Sequence, residues 1–98
     1  MRNLVILPRA VQEATAAFEW YQTEAPGLGD AFFQRVDECI NFIYHNPQWH
    51  AIVEGDYRRA LVRRFPYAVF YKYDDEKVHI YSIFHCAQNP EKWQKHLP

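Results

Sequence analysis

The spacing of apolar residues changes period along the chain, and those changes mark out its elements. A short apolar run from Asn3 to Leu7 reads as a strand closed by Pro8. Pro8 also suits the first turn of a helix, where its missing N–H would have found no internal acceptor. From Arg9 to about Ala25, apolar residues recur at Val11, Ala14, Phe18, Tyr21 and Ala25, with Ala10 and Ala17 on the margin. At ~100° per residue these positions form one helical stripe. Pro26-Gly27-Leu28-Gly29 breaks the helix. Asp30 is placed to cap a second helix, because its carboxylate can accept from the unpaired first-turn N–H groups. Phe32, Phe33, Val36, Cys39, Ile40 and Ile43 form that helix's stripe, and Asn46-Pro47 ends it. So short a break predicts an antiparallel helical hairpin.

After a loop from Trp49 to Asp56 the pattern becomes that of strands. Tyr57 to Phe65, Tyr67 to Tyr73 and Val78 to Cys86 are rich in β-branched and aromatic residues, separated by Pro66 and by Asp74-Asp75-Glu76-Lys77. Three antiparallel strands in a meander are the economical arrangement. Asn89-Pro90-Glu91-Lys92-Trp93 reads as a short C-terminal helix. The order is β-α-α-β-β-β with that short helix: an α+β fold in which a helical hairpin packs on a small antiparallel sheet. No repeat or linker divides the chain, so residues 1–98 read as one domain.

Two large aromatics fall off the helical stripes. Trp20 lies on the side of the first helix that carries Glu13 and Glu24, and Phe42 lies beside Arg35 and Glu38 on the second. Such residues either cover another part of the domain or await a partner. Composition adds size to the core: with 17% aromatic residues, a chain of 98 has rings that each bury ~150–250 Å². No stretch approaches the roughly 20 apolar residues of a membrane span. The N-terminal apolar run is too short for a signal peptide, and Cys39 and Cys86 lack CxxC spacing. These features read as a cytoplasmic chain with no membrane attachment, structural metal or cofactor, and Cys39, on a buried stripe, as a structural thiol.

The net charge of −1 hides an asymmetry. Residues 1–56 hold three basic against eight acidic side chains, and residues 57–98 hold eight basic against four acidic. Arg58, Arg59, Arg63 and Arg64 fall in one segment, a basic surface suited to phosphate or to an acidic partner. The alternative is a solvated strand face with arginines paired to the N-terminal acids. Alternation puts Arg59, Leu61, Arg63 and Phe65 on one face and Arg58, Ala60, Val62 and Arg64 on the other, which leaves the buried face undecided.

Most small-molecule chemistry is excluded. His79 and His85 share a strand face, but no carboxylate completes a metal set and no HExxH occurs. Ser82 lies mid-strand, and adjacent His85 and Cys86 point to opposite faces. With Gly27, Gly29 and Gly55 as the only glycines, there is no phosphate loop. What remains is an aromatic, basic sheet able to hold a phosphodiester. Metal-free RNA cleavage needs a base, an acid and cations on the phosphorane. His85 with Arg63 or Arg64 and a tyrosine has the right groups, but the constellation is nonspecific, and simple packing with surface charge is the stronger explanation of the same residues.

The chain resembles the RelE/ParE superfamily of toxins from bacterial type II toxin–antitoxin systems, the ParE-like branch in particular. The resemblance rests on Ala17-Phe18-Glu19-Trp20-Tyr21, Pro26-Gly27-Leu28-Gly29 with Phe32 and Phe33, and Asn46-Pro47. It continues through Tyr57-Arg58-Arg59, Arg63-Arg64-Phe65-Pro66-Tyr67, Val69 and Tyr71, and ends at His85, Asn89-Pro90 and Trp93. It implies a growth inhibitor neutralised by a cognate antitoxin. ParE-like members poison DNA gyrase. RelE-like members cut mRNA on the ribosome without metal, and for that activity the resemblance points to Arg64 and His85, assisted by Arg63 or Tyr71. Many relatives carry an arginine shortly after the last-strand histidine where this chain has Gln88. Loss of that cation favours the gyrase expectation over the nuclease. A third expectation is a non-toxic fold that only binds its antitoxin. Trp20 and Phe42 are the expected antitoxin contacts, and Arg58, Arg59, Arg63 and Arg64 the expected target-facing surface.

Overall fold

The computed structural model describes residues 2–87. The helix expected from Asn89, together with Gln88 and Trp93, lies outside the described residues. The first strand, β1, spans Asn3–Ile6, and Pro8 opens α1, Pro8–Glu24. The buried line of α1 is Ala10, Ala14, Ala17 and Tyr21, whereas Val11 is half exposed. The stripe is therefore rotated from the expected one, because three alanines let the helix lie close on the sheet. Phe18 turns instead to its neighbour helix, where it stacks on Phe33 with ring centroids 4.5 Å apart.

The second helix, α2, spans Leu28–His45, so Asp30 is a first-turn residue and not the cap. The cap is Gly27 at φ +86°, a left-handed conformation that glycine adopts without a Cβ penalty. Gly29 permits the close approach of the hairpin: a Cβ there would lie 2.6 Å from the Phe18 carbonyl oxygen. Its N–H donates to Gln22 Oε1 at 2.7 Å. Phe32, Val36, Ile40 and Ile43 are buried, as their spacing predicts.

The sheet is larger and more mixed than the pattern suggests. It has five strands in the order β1-β5-β4-β3-β2, with β2 at Ile52–Glu54, β3 at Tyr57–Leu61, β4 at Tyr67–Tyr73 and β5 at Lys77–His85. The stretch expected as a loop thus contains β2, which forms a hairpin with β3 around Gly55 at φ +54°. Strand β1 pairs with β5 in parallel. The antiparallel meander of β3, β4 and β5 stands as expected. β3 stops at Leu61, not Phe65: Val62 to Pro66 form a turn, with Arg64 at φ +72°. A bulge at Phe70/Tyr71 shifts the β4–β5 register, so residues 78 and 80 and then 83 of β5 face the helices.

The helices cover the face carrying Ala60, Val62, Val69, Tyr71, Val78, Ile80 and Ile83. This settles which side of β3 is inward: it is the Ala60 side. On the other face Ala68, Phe70 and Phe84 form a second buried cluster against Val53. Glu13 of α1 closes part of the β5 edge beyond the end of β1. Its carboxylate Oε1 accepts from Ser82 Oγ at 2.7 Å and from the Ile83 N–H at 3.2 Å. No helix among the described residues is long and apolar enough to cross a membrane.

Candidate functional site

Tyr71 sits mid-strand in β4 on the helical side, and its side chain is fully buried. Its hydroxyl donates to the Pro47 carbonyl at 2.8 Å and lies 3.1 Å from His50 Nδ1. One phenolic proton serves one acceptor, so His50 Nδ1 takes the donor role toward the phenol oxygen. Arg58 of β3 braces the same loop: its Nη1 donates to the carbonyls of His50 at 2.6 Å and Gln48 at 3.2 Å. Its guanidinium also lies over the Tyr73 ring, 5.4 Å from the centroid. Burial pushes the Tyr71 phenol up to about 12, against the opposing pull of the Arg58 guanidinium. Burial, with Arg58 adding to it, holds His50 below its ordinary value. This network fastens the segment after α2 to the sheet. His50 carries no sequence signal, because the loop that holds it has no periodicity.

The four arginines do not share one surface. Arg58 is committed to the loop, whereas Arg59, one residue on, projects from the opposite face beside Phe70 of β4. Arg63 and Arg64 are exposed in the β3–β4 turn. Arg63 lines a cleft of about 350 Å³ with Arg35, Glu38, Cys39, Phe42, His50 and Leu61. Arg35 Nη1 and Glu38 Oε2 pair there at 2.9 Å. Burial raises the Cys39 thiol to about 11, so it stays protonated at neutral pH and packs as a small apolar group. The two ion pairs among the described residues are Arg9–Glu13 and Arg35–Glu38, and neither uses the arginines of residues 58–64.

His85 ends β5 and is the register partner of Tyr67, with the rings 5.1 Å apart edge-on. Its Nδ1 accepts the Ala87 N–H at 3.1 Å. The Val62 N–H donates to the Tyr67 carbonyl at 2.9 Å, which ties the Arg63–Arg64 turn to the end of the sheet where His85 lies. Tyr71 is four residues further along β4, roughly 13 Å at the usual strand rise, and faces the core. The backbones of Arg63, Arg64 and His85 thus lie at one end of the sheet, but the Arg63 side chain lines the cleft that holds His50, the partner of Tyr71, whereas His85 lines the groove beside Trp20.

Both off-stripe aromatics are exposed. Trp20 is 57% accessible and forms one wall of a groove of about 270 Å³ with Glu13, Ala16, Ala17, Tyr67, Ile83, Phe84 and His85. Phe42 is 42% accessible and meets Trp49 and His50 edge-on at 6.1 and 5.7 Å. Among the described residues no group of three His, Cys, Asp or Glu side chains is close enough to hold a metal ion.

A family model described as ParE toxin of type II toxin-antitoxin system, parDE, matches residues 4–90. Among solved structures, the chain is similar to one from the chromosomal ParDE TA system of P. aeruginosa. That likeness has a TM-score of 0.66 at 13% identity, over 87% of this chain and 96% of the other. At that identity it bears on the fold. No match was found among curated protein sequences.

Proposed function

The chain belongs to the ParE toxin family of type II toxin–antitoxin systems, and we propose that it is a cytoplasmic growth inhibitor that poisons DNA gyrase and is silenced by a cognate antitoxin. The observation that carries this reading against RNA cleavage is the state of Tyr71. A phenol that is fully buried, bonded to Pro47 and His50, and raised to about 12 is neither reachable by a phosphodiester nor a proton carrier at neutral pH. Without it, and with Gln88 where relatives hold a cation, the nuclease set is reduced to Arg63, Arg64 and His85. The chromosomal ParDE relative is named for a toxin with its antitoxin, which supports an antitoxin partner here. Exposed Trp20 and Phe42 are the aromatic anchors on which such a partner would order itself.

The ribosome-dependent endonuclease is kept as a second reading because the backbones of Arg63, Arg64 and His85 share one end of the sheet. Pulse labelling separates the two. On induction without antitoxin, gyrase poisoning stops thymidine incorporation in the first minutes while leucine incorporation continues. The reverse order makes Arg64 and His85 the catalytic candidates and overturns the gyrase reading. No effect on either leaves a fold that only binds its antitoxin.

A further inference from the structure

Strand β3 runs past the end of β2. β2 begins at Ile52, opposite Arg58, and the Arg59 N–H reaches back to the Ala51 carbonyl at 3.3 Å. The Val62 N–H turns the other way, to the Tyr67 carbonyl of β4 at 2.9 Å. Backbone groups alternate between the two edges of a strand, so the Leu61 N–H points to the side that β2 has left. It has no backbone partner among the described residues, and the Leu61 carbonyl takes the weak Cys39 thiol donor at 3.8 Å.

The cleft of about 350 Å³ opens at this point, and two guanidinia from different elements line it, Arg35 of α2 and Arg63 of the turn after β3. Neither ion pair among the described residues involves Arg63, so its charge is unspent. Arg35 meets Glu38 through Nη1 alone, at 3.2 and 2.9 Å to the two carboxylate oxygens. Its Nε and Nη2, an edge that can grip a carboxylate with two parallel bonds, are used by no described residue. Cys39 stays protonated and His50 neutral at neutral pH, so the lining carries two positive charges against one negative. Phe42 gives the cleft an apolar wall, continued by Trp49, which is 72% accessible and meets the Phe42 ring edge-on.

We propose that this cleft receives an extended acidic segment of the antitoxin, with a carboxylate between Arg35 and Arg63, a backbone carbonyl on the Leu61 N–H, and an apolar side chain against Phe42 and Trp49. It rests on the antitoxin partner argued above and specifies the charge and backbone form of the segment that docks. A nucleic-acid strand would bring several phosphates past the Glu38 carboxylate, with one unpaired guanidinium in the cleft to receive them. The chain's own last residues hold Lys92, Lys95 and His96 against Glu91, the wrong sign for this lining.

The test titrates the purified full chain with its purified antitoxin by calorimetry. Arg63→Glu should weaken binding by about tenfold or more, and the loss should shrink as salt rises. Arg63→Lys should recover part of it, since lysine keeps the charge and loses the fork. Lys77→Glu changes the net charge equally at the far end of the sheet, where Lys77 pairs with Asn3, and should move Kd by less than about threefold. Arg63 is exposed in a turn, so equal urea midpoints should show that its variants fold. Amide exchange at Leu61 should slow in the complex, and those overlapping short peptides of the antitoxin that compete should be net acidic. Equal binding of all variants overturns the proposal and leaves the antitoxin partner standing, as does a Leu61 amide that exchanges at its free rate or a competing peptide of net positive charge. An antitoxin that does not bind the parent chain overturns both. Competition by oligothymidylate that Arg63→Glu abolishes would assign the cleft to nucleic acid, and self-association abolished by the same variant would assign it to a second copy; either overturns the proposal.

Discussion

Replacing Tyr71 by Phe removes one oxygen and keeps the buried ring. In the wild type that oxygen's proton meets the Pro47 carbonyl at 2.8 Å, and the oxygen itself lies 3.1 Å from His50 Nδ1. The variant leaves both groups in a site where the ring is fully buried, out of reach of compensating water. A buried polar group stripped of its partner costs about 1–3 kcal/mol, and the packing of the retained ring offsets none of it. With a urea m-value of ~1 kcal/mol per molar for so small a chain, the unfolding midpoint should fall by about 1–3 M. Growth inhibition by variant that remains folded should persist, because the phenol is a brace and not a reactive group. The assay is urea unfolding followed by tryptophan fluorescence, paired with colony counts after induction. Loss of toxicity with an unchanged midpoint would refute the reasoning and return Tyr71 to the chemistry.

Three further outcomes follow from the same geometry. Glu13→Ala leaves Ser82 Oγ and the Ile83 N–H without their shared acceptor and should destabilise the fold by ~2 kcal/mol, with Glu13→Gln recovering part of it, read by urea unfolding. His50 is held below its ordinary 6.5 by burial and then by Arg58, so the unfolded chain takes up its proton first as pH falls. Its contribution is complete above about pH 6.5 and is lost progressively below it, so His50→Gln should flatten the acid side of a Tm-against-pH curve between pH 7.5 and 5. Trp20→Ala should weaken antitoxin binding by ~2 kcal/mol, about thirtyfold in Kd by calorimetry, with a smaller loss of stability because the ring meets Tyr21 edge-on at 5.0 Å. Phe42→Ala should lower both, because that ring also meets Trp49 and His50 within the chain.

Much of this molecule is written locally. The helical hairpin, its Pro-Gly break and strand β4 follow from periods of 3.6 and 2 that any short window carries, and so does the off-stripe position of Trp20 and Phe42, though whether each covers the domain or faces outward is decided only by the fold. The rotation of the α1 stripe toward Ala10, Ala14 and Ala17 was not legible, because alanine is too small to mark a face until the sheet beneath it is known. Likewise β2 is three residues long, below the length at which alternation is distinguishable from loop, and exists because β3 lends it an edge. The arginine-rich segment reads as one strand and one surface, yet the chain turns at Val62, and that turn separates Arg63 and Arg64 from Arg58 and Arg59.

The sequence by itself determined the order of elements apart from β2, and the family, since both reside in short motifs and spacings. Tertiary structure alone decided what the candidate residues do. Tyr71, His50 and Arg58 meet only when the loop after α2 closes on the sheet, and Glu13 finds Ser82 and Ile83 only because α1 crosses β5. Among the described residues β1 ends the strand order because it joins β5 in parallel. Hydrogen-bond partners across such distances in the chain are set by packing and strand register, which no local window contains.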